Sequence, residues 1–168
     1  MDISPPPVSE WKAFKELSLS ALMKEPQAFG VSYDKELAYP DEKWRQRLSE
    51  VAEGESYVLW ARMDGRPVGL IMGGRTSEDR SRHRAHIWGL YVDGSARRRG
   101  IAKDLMERVL AGFAGNPDIQ RVQVEANSEQ RAAIKLYLSL GFEETQTSRW
   151  KMGDGVEHEV TSLEKKLR

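Results

Sequence analysis

Apolar positions along the chain follow a helical period in some blocks and a strand-like density in others. Over residues 10–24 they recur at Trp11, Phe14, Leu17, Ala21 and Leu22, one stripe of an α-helix, with Ser9 placed to cap its start and Pro26 to end it. A looser stretch, PQAFGVSYDKELAYP, leads to a second helix over residues 41–52 with Trp44 and Leu48 on one face. The pattern then changes. SYVLWARM and PVGLIMGG read as strands flanking Asp64-Gly65, a dipeptide favoured in tight hairpin turns. A polar, arginine-rich loop over residues 76–84 precedes another strand, AHIWGLYV.

The helical period returns with Ile101, Leu105, Met106, Val109, Leu110 and Phe113, an inward stripe over residues 101–113. RVQVEA reads as a strand, and residues 129–140 as a helix capped by Ser128 and stopped by Gly141. FEETQTSRWKM and VEHEVTSLEKKL close the chain as a hairpin about Gly153-Asp154-Gly155. The order α-α-β-β-β-α-β-α-β-β predicts an α/β fold, a mixed sheet with helices on both faces. Between residues 85 and 126 it predicts a right-handed crossover joining two parallel strands. Asp2-Ile3-Ser4, followed by three prolines, can pair only briefly, so the sheet is short at that edge or the chain begins late.

Composition narrows the function. At 168 residues the chain is expected to form one domain, residues 1–168, with a real core. Lys+Arg and Asp+Glu balance at 26 each, so no net field draws the molecule to a polyanion. There is no cysteine, hence no disulfide, thiolate metal site or covalent cysteine intermediate. Three histidines, His83, His86 and His158, make a histidine-rich metal cluster improbable. No apolar run approaches the roughly 20 residues of a membrane span and the start lacks a basic-then-apolar signal, so a cytoplasmic protein is expected.

One segment carries chemistry. YVDGSARRRGIAKDLMERVL puts three arginines and a glycine where a strand turns into a helix. The first turn of a helix presents N–H groups without internal partners and a partial charge of about +0.5, which suits a phosphate. Gly100 has no Cβ and Ala102 keeps the next turn small, while Arg97, Arg98 and Arg99 offer charge-assisted bonds to phosphate oxygens. The alternatives are a solvated cap whose arginines pair with Asp104 and Glu107, or a grip on nucleic acid. The segment is neither a Walker loop nor a GxGxxG turn.

Arg97-Arg98-Arg99-Gly100-Ile101-Ala102 resembles the Q/R-x-x-G-x-G/A signature of the GCN5-related N-acetyltransferases, the GNAT family. A second block, Ala132-Ala133-Ile134-Lys135-Leu136-Tyr137 followed by Gly141-Phe142, resembles that family's N-x-x-A-x-x-L-Y-x-x-x-G-F helix, and the order of elements agrees over nearly the whole chain. The resemblance implies a GNAT-type acyl-CoA N-acyltransferase fold whose mixed sheet splays between two parallel central strands. It implies acetyl-CoA as co-substrate and no metal. Its diphosphate would lie on residues 97–102, from Arg97 through Ile101 to Ala102, and its pantetheine arm on the main chain of Leu90, Tyr91 and Val92. A backbone N–H there, that of Leu90, would polarise the thioester. The family's asparagine position holds Gln130 here, with Asn127 three residues earlier, so that contact to the cofactor arm departs from the pattern.

The same resemblance implies an N-acetyltransferase working by direct attack in a ternary complex. Tyr137 would be the general acid, its ordinary pKa of about 10 set against about 8.5 for a thiol. Glu125 or His86 would be the base, a water chain being the remaining option. The acceptor would be a small-molecule amine or a protein N-terminus or lysine. Acids (Asp34, Glu36, Asp41, Glu42, Glu157, Glu159) and aromatics (Phe29, Tyr33, Tyr39, Trp44) are available to hold it. Nucleic acid and membrane are not expected as partners, and homodimers are common in the family. Two other classes compete: a non-catalytic acetyl-CoA sensor, and a binding module using Arg75, Arg80, Arg82, Arg84 and Arg97–Arg99 as a basic patch.

Overall fold

A computed structural model describes residues 1–51 and 55–168. Seven strands, β1 (Asp2–Ser4), β2 (Ser56–Met63), β3 (Arg66–Arg75), β4 (Arg84–Val92), β5 (Arg121–Asn127), β6 (Glu143–Lys151) and β7 (Glu157–Lys166), form one sheet in the order β1-β2-β3-β4-β5-β7-β6. All neighbours are antiparallel except β4 and β5. The β2–β3 turn carries Asp64 and Gly65 at φ 50° and 77°, the left-handed pair that a two-residue hairpin requires. β1 is the expected stub, three residues paired with β2.

Helices cover both faces, as the pattern required. α4 (Ile101–Ala114) and α5 (Arg131–Ser139) pack on one face, and every residue of the α4 stripe, from Ile101 to Phe113, is buried there. α1 (Trp11–Lys24) and α3 (Asp41–Ser49) cover the other face through Trp11, Phe14, Leu19, Trp44 and Leu48, which meet Val58 and Trp60 of β2. A second contact joins Leu17 and Ala21 to Leu70 and Tyr91.

Local expectations need four corrections. Ser9 does not cap α1: the chain enters through a 3-10 turn, Val8–Glu10, and Glu10 precedes the helix without a side-chain cap bond. The loose stretch contains a further helix, α2 (Tyr33–Leu37), capped by Ser32, whose Oγ accepts from the Lys35 N–H at 3.2 Å. α3 ends at Ser49, short of the expected limit, and Ala52 lies outside the described residues. α5 begins at Arg131 rather than 129, because Ser128 turns its hydroxyl to Thr161 Oγ1 at 2.8 Å and the Glu129 N–H is taken by Asn127 Oδ1 at 3.0 Å. The stop at Gly141 is as expected, with the Phe142 N–H donating to Tyr137 O at 3.1 Å.

Candidate active site

The parallel pair β4–β5 is joined only at Arg84–Arg121, Ala85–Val122 and His86–Gln123, after which the strands part. At the same level β4 carries a bulge against β3. Leu70 pairs with Tyr91 and Met72 with Trp88, so Gly89 and Leu90 together oppose Ile71. Gly89 has φ +67°, and a Cβ there would stand 2.6 Å from Met72 Cε, so the bulge needs glycine. An unpaired bulge leaves main-chain groups free of the ladder, and this one sits at the mouth of the gap where Leu90 was expected to act.

A cavity of about 390 Å³ occupies the gap and the space beneath α1 and α2. On the α5 side it is lined by Ile87, Leu90, Val124, Ala126 and Tyr137. On the other side lie His86, Trp88 and Glu125, with Phe29, Trp150 and Met152 facing them. The three predicted catalytic side chains are therefore brought to one space. Tyr137 is buried against Phe142, and no described residue bonds to its hydroxyl. That burial pushes its pKa up to about 12, so the phenol stays a proton donor at any working pH.

Glu125 is open to the cavity, yet the wall around it desolvates the carboxyl and raises its pKa, with the nearby charge of His86 pulling the other way. His86 is oriented by Thr76, whose Oγ1 lies 3.3 Å from Nδ1. Neighbouring strands, β4 and β5, thus bring a carboxyl and an imidazole to the same wall.

The β4–α4 loop has the form expected of an anion cradle. Arg98 and Gly100 both take left-handed φ, 61° and 79°, and nothing stands within 4 Å of where a Gly100 Cβ would be. Such left-handed turns let successive N–H groups converge, and the strained Arg98 costs about 1–2 kcal/mol. Arg98 and Arg99 are exposed and have no carboxylate partner among the described residues. Arg97 does not share that freedom. Its guanidinium donates to Val92 O at 2.9 Å and pairs with Glu25 at the end of α1. Beside it Lys24 binds Asp93 at 2.8 Å, and together with Ser95 it holds the Asp93 carboxyl well below the usual carboxylate range. Two ion pairs therefore fasten α1 to the loop, and neither involves Asp104 or Glu107, the partners in the solvated-cap alternative; Glu107 pairs with Lys103 at 3.8 Å.

Asn127, also expected at the cofactor, lines the same cavity. It is buried, and its side chain is spent on Gln27 O at 3.1 Å and the Glu129 N–H; Gln130 precedes α5. Tyr91 and Val92 are strand residues leading into the loop, with the Tyr91 ring buried against α1. Ile101 is buried and Ala102 follows it in the first turn of α4. Of the proposed acceptor-side acids only Glu36 lines the cavity; Asp41 pairs with Lys15, Glu42 with Arg45 and Glu157 with Arg149.

Sequence reasoning missed the partner of Glu36. Arg47 grips it bidentately at 2.6 and 3.2 Å while its guanidinium lies 4.6 Å from the Trp44 ring. The arginine patch is also reduced, since Arg75 is held by Glu55 at 2.7 Å and Asp118 at 3.5 Å. Among the described residues no cluster fit for a metal occurs, and no helix is long and apolar enough to cross a membrane.

Known proteins share this fold. An acetyltransferase of the GNAT family from Streptococcus pneumoniae superposes with TM-score 0.83 over 98% of each chain at 16% identity. A phosphinothricin acetyltransferase from Sinorhizobium meliloti, solved with acetyl-CoA, superposes with TM-score 0.80 over 98% of this chain and 87% of its own at 14% identity. Human N-acetyltransferase 8 is 38% identical over 65 residues, 39% of this chain; the match spans only 28% of that protein's length. The model of the Acetyltransferase (GNAT) family matches residues 18–142, from α1 through both motif helices to Phe142, and on that match this chain belongs to the GNAT acetyltransferase family.

Proposed function

We propose that the protein is an N-acetyltransferase that moves an acetyl group from acetyl-CoA to a primary amine by direct attack in a ternary complex. One observation carries the reading: a single cavity runs through the β4–β5 gap and touches Leu90, Tyr137, Glu125 and His86 together. The residues suit the co-substrate. The open N–H groups at the start of α4, with Arg98 and Arg99 beside them, fit a diphosphate, and the Gly89–Leu90 bulge offers main-chain groups to an amide-bearing arm. When bound there, acetyl-CoA supplies an activated thioester.

The chain's own groups do the rest. Glu125, its basicity increased by desolvation, takes the proton that a cationic amine must lose, and His86 shares that charge. A Leu90 N–H aimed at the carbonyl would stabilise the developing oxyanion by a few kcal/mol. Tyr137, held protonated, donates to the departing sulfur. With no cysteine in the chain, no acetyl-cysteine relay is available.

The test is thiol release from acetyl-CoA against a panel of primary amines. Tyr137→Phe is expected to lower kcat by ~10²-fold with acetyl-CoA affinity unchanged, the low end of general-acid contributions. Equal rates for the two proteins across pH would remove Tyr137 from the mechanism. A wild-type protein that binds acetyl-CoA but transfers to no amine would replace the enzyme by a sensor.

A further inference from the structure

The acceptor half of the cavity has a definite charge and a definite surface. Its lining includes one permanent cation among the described residues, Arg47, and that guanidinium is already neutralised by the buried carboxylate of Glu36 through two hydrogen bonds. It is also stacked on Trp44 and lies 5.3 Å from the Tyr39 ring, so it is held in place rather than left to reach a ligand. Once that pair cancels, the remaining titratable groups on the acceptor side are Glu125 and His86, which sit together. A ligand carboxylate would meet no unpaired arginine or lysine and would face Glu125.

The rest of the wall is apolar and aromatic. Trp88 and Trp150 are 52% and 42% exposed, unusual for tryptophan, and both line this cavity with Phe29, Met72 and Met152. The Trp88 ring is seated over Gly74, where a Cβ would come within 3.2 Å of it, so its position is fixed by the strand beneath. At about 390 Å³ the space is at the small end for ligand pockets and has to hold the thioester end as well.

Resting on the acetyltransferase reading above, we propose that the acceptor is a primary amine carrying an aromatic ring on a short alkyl arm and no carboxylate. The ring packs on Trp88 and Trp150, and the ammonium lies at Glu125 before losing its proton. Exposed tryptophan faces suit both an aromatic ring and a cation near it.

The experiment compares twins that differ by one group. Thiol release from acetyl-CoA is measured with 2-phenylethylamine and tryptamine, with phenylalanine and tryptophan, with propylamine, and with an alanine-initiated peptide. Each aromatic amine is expected to exceed its amino acid and propylamine at least tenfold in kcat/KM. Trp88→Ala should cut the preference for 2-phenylethylamine over propylamine at least fivefold, with Trp88→Phe recovering most of it. Glu36→Gln, which leaves the Arg47 charge uncompensated, should narrow the gap between 2-phenylethylamine and phenylalanine at least threefold. Acetyl transfer that favours the amino acids, propylamine or the peptide overturns this acceptor class and leaves the acetyltransferase standing. Binding of acetyl-CoA with no transfer to any of these acceptors overturns both.

Discussion

The tip of the β6–β7 hairpin forms part of the cavity wall through Trp150 and Met152, and Gly153 is where that wall can be broken with one methyl group. The Gly153 N–H donates to Phe29 O at 2.8 Å, tying the hairpin to the linker between α1 and α2. A Cβ at this position would lie 2.3 Å from Val31 O and 2.9 Å from Pro26 O. Both obstacles are backbone, so no rotamer change relieves them. Ordinary contact begins near 3.4 Å, so for Gly153→Ala the tip must lift by about 1 Å. That lift stretches the bond to Phe29 past its useful range, a net loss of about 0.5–1.5 kcal/mol.

Loosened packing at Met152, buried in the same wall, brings the total to roughly 1–3 kcal/mol. For a chain of this size each kcal/mol lowers Tm by about 2–4 °C. Phe29, Val31 and Met152 line the cavity, so acceptor KM should rise about tenfold by the loss of roughly 1.4 kcal/mol of contact. The Kd for acetyl-CoA should hold within about twofold, because the α4 loop is not among the groups displaced. Gly30→Ala is the control for melting: it adds a methyl to the same linker, at a position that also lines the cavity, with nothing within 4 Å. Calorimetric melting and steady-state kinetics on both variants decide the matter. If Gly153→Ala melts with Gly30→Ala and keeps its acceptor KM, or loses acetyl-CoA as severely as acceptor, the hairpin tip does not form this wall.

What the sequence disclosed, and what it hid, divides by the range of the interaction. The α4 stripe was readable because each of its members is within one turn of the next, and all six are buried. The turn between β4 and α4 was readable for the same reason, since Arg98 and Gly100 set its shape within a few residues. The β4 bulge was not: IWGLYV is apolar throughout, so two residues facing one leave no mark on its period. Gly89 alone hinted at it. The failed cap at Ser128 has a tertiary cause. Ser128 satisfies the preference for a cap by residue type, but Thr161 of β7 offers its hydroxyl a partner that only the folded sheet provides.

Charge roles were least legible. The ion pair of Arg97 leaves no local mark because Glu25 is far away in sequence, and the bond from Asn127 leaves none because Gln27 is too. Glu36 was singled out as one acid among six, whereas its pairing with Arg47 across two helices turns an acidic wall into a neutral one. Motifs thus located the β4–α4 turn and the α5 helix, and tertiary pairing fixed the charge balance of the cavity wall.

Two further substitutions separate the phosphate loop from the base. Gly100→Glu places a carboxylate and a left-handed strain of about 1–2 kcal/mol at the start of α4, so acetyl-CoA Kd should weaken at least ~100-fold by repulsion from the diphosphate while the protein stays folded; unchanged affinity by calorimetry would remove the loop from the site. Glu125→Gln should lower kcat/KM by ~10²-fold and abolish the rise in activity as pH climbs through the Glu125 pKa. Stability should move the opposite way. Desolvation, opposed by His86, raises the folded pKa above its ordinary value, so near that window the folded state binds the proton more readily than the unfolded chain does. Stability contributed by the protonated carboxyl is then present at low pH and lost as pH rises through the folded value, where an ionised carboxylate has to sit against the cavity wall. Glutamine carries no such penalty. Melting temperatures of the two proteins should therefore diverge in favour of Glu125→Gln as pH rises from the ordinary carboxylate range through the raised Glu125 value, and a wild-type advantage that grows with pH would show that the carboxylate is stabilised in the fold rather than held there for catalysis.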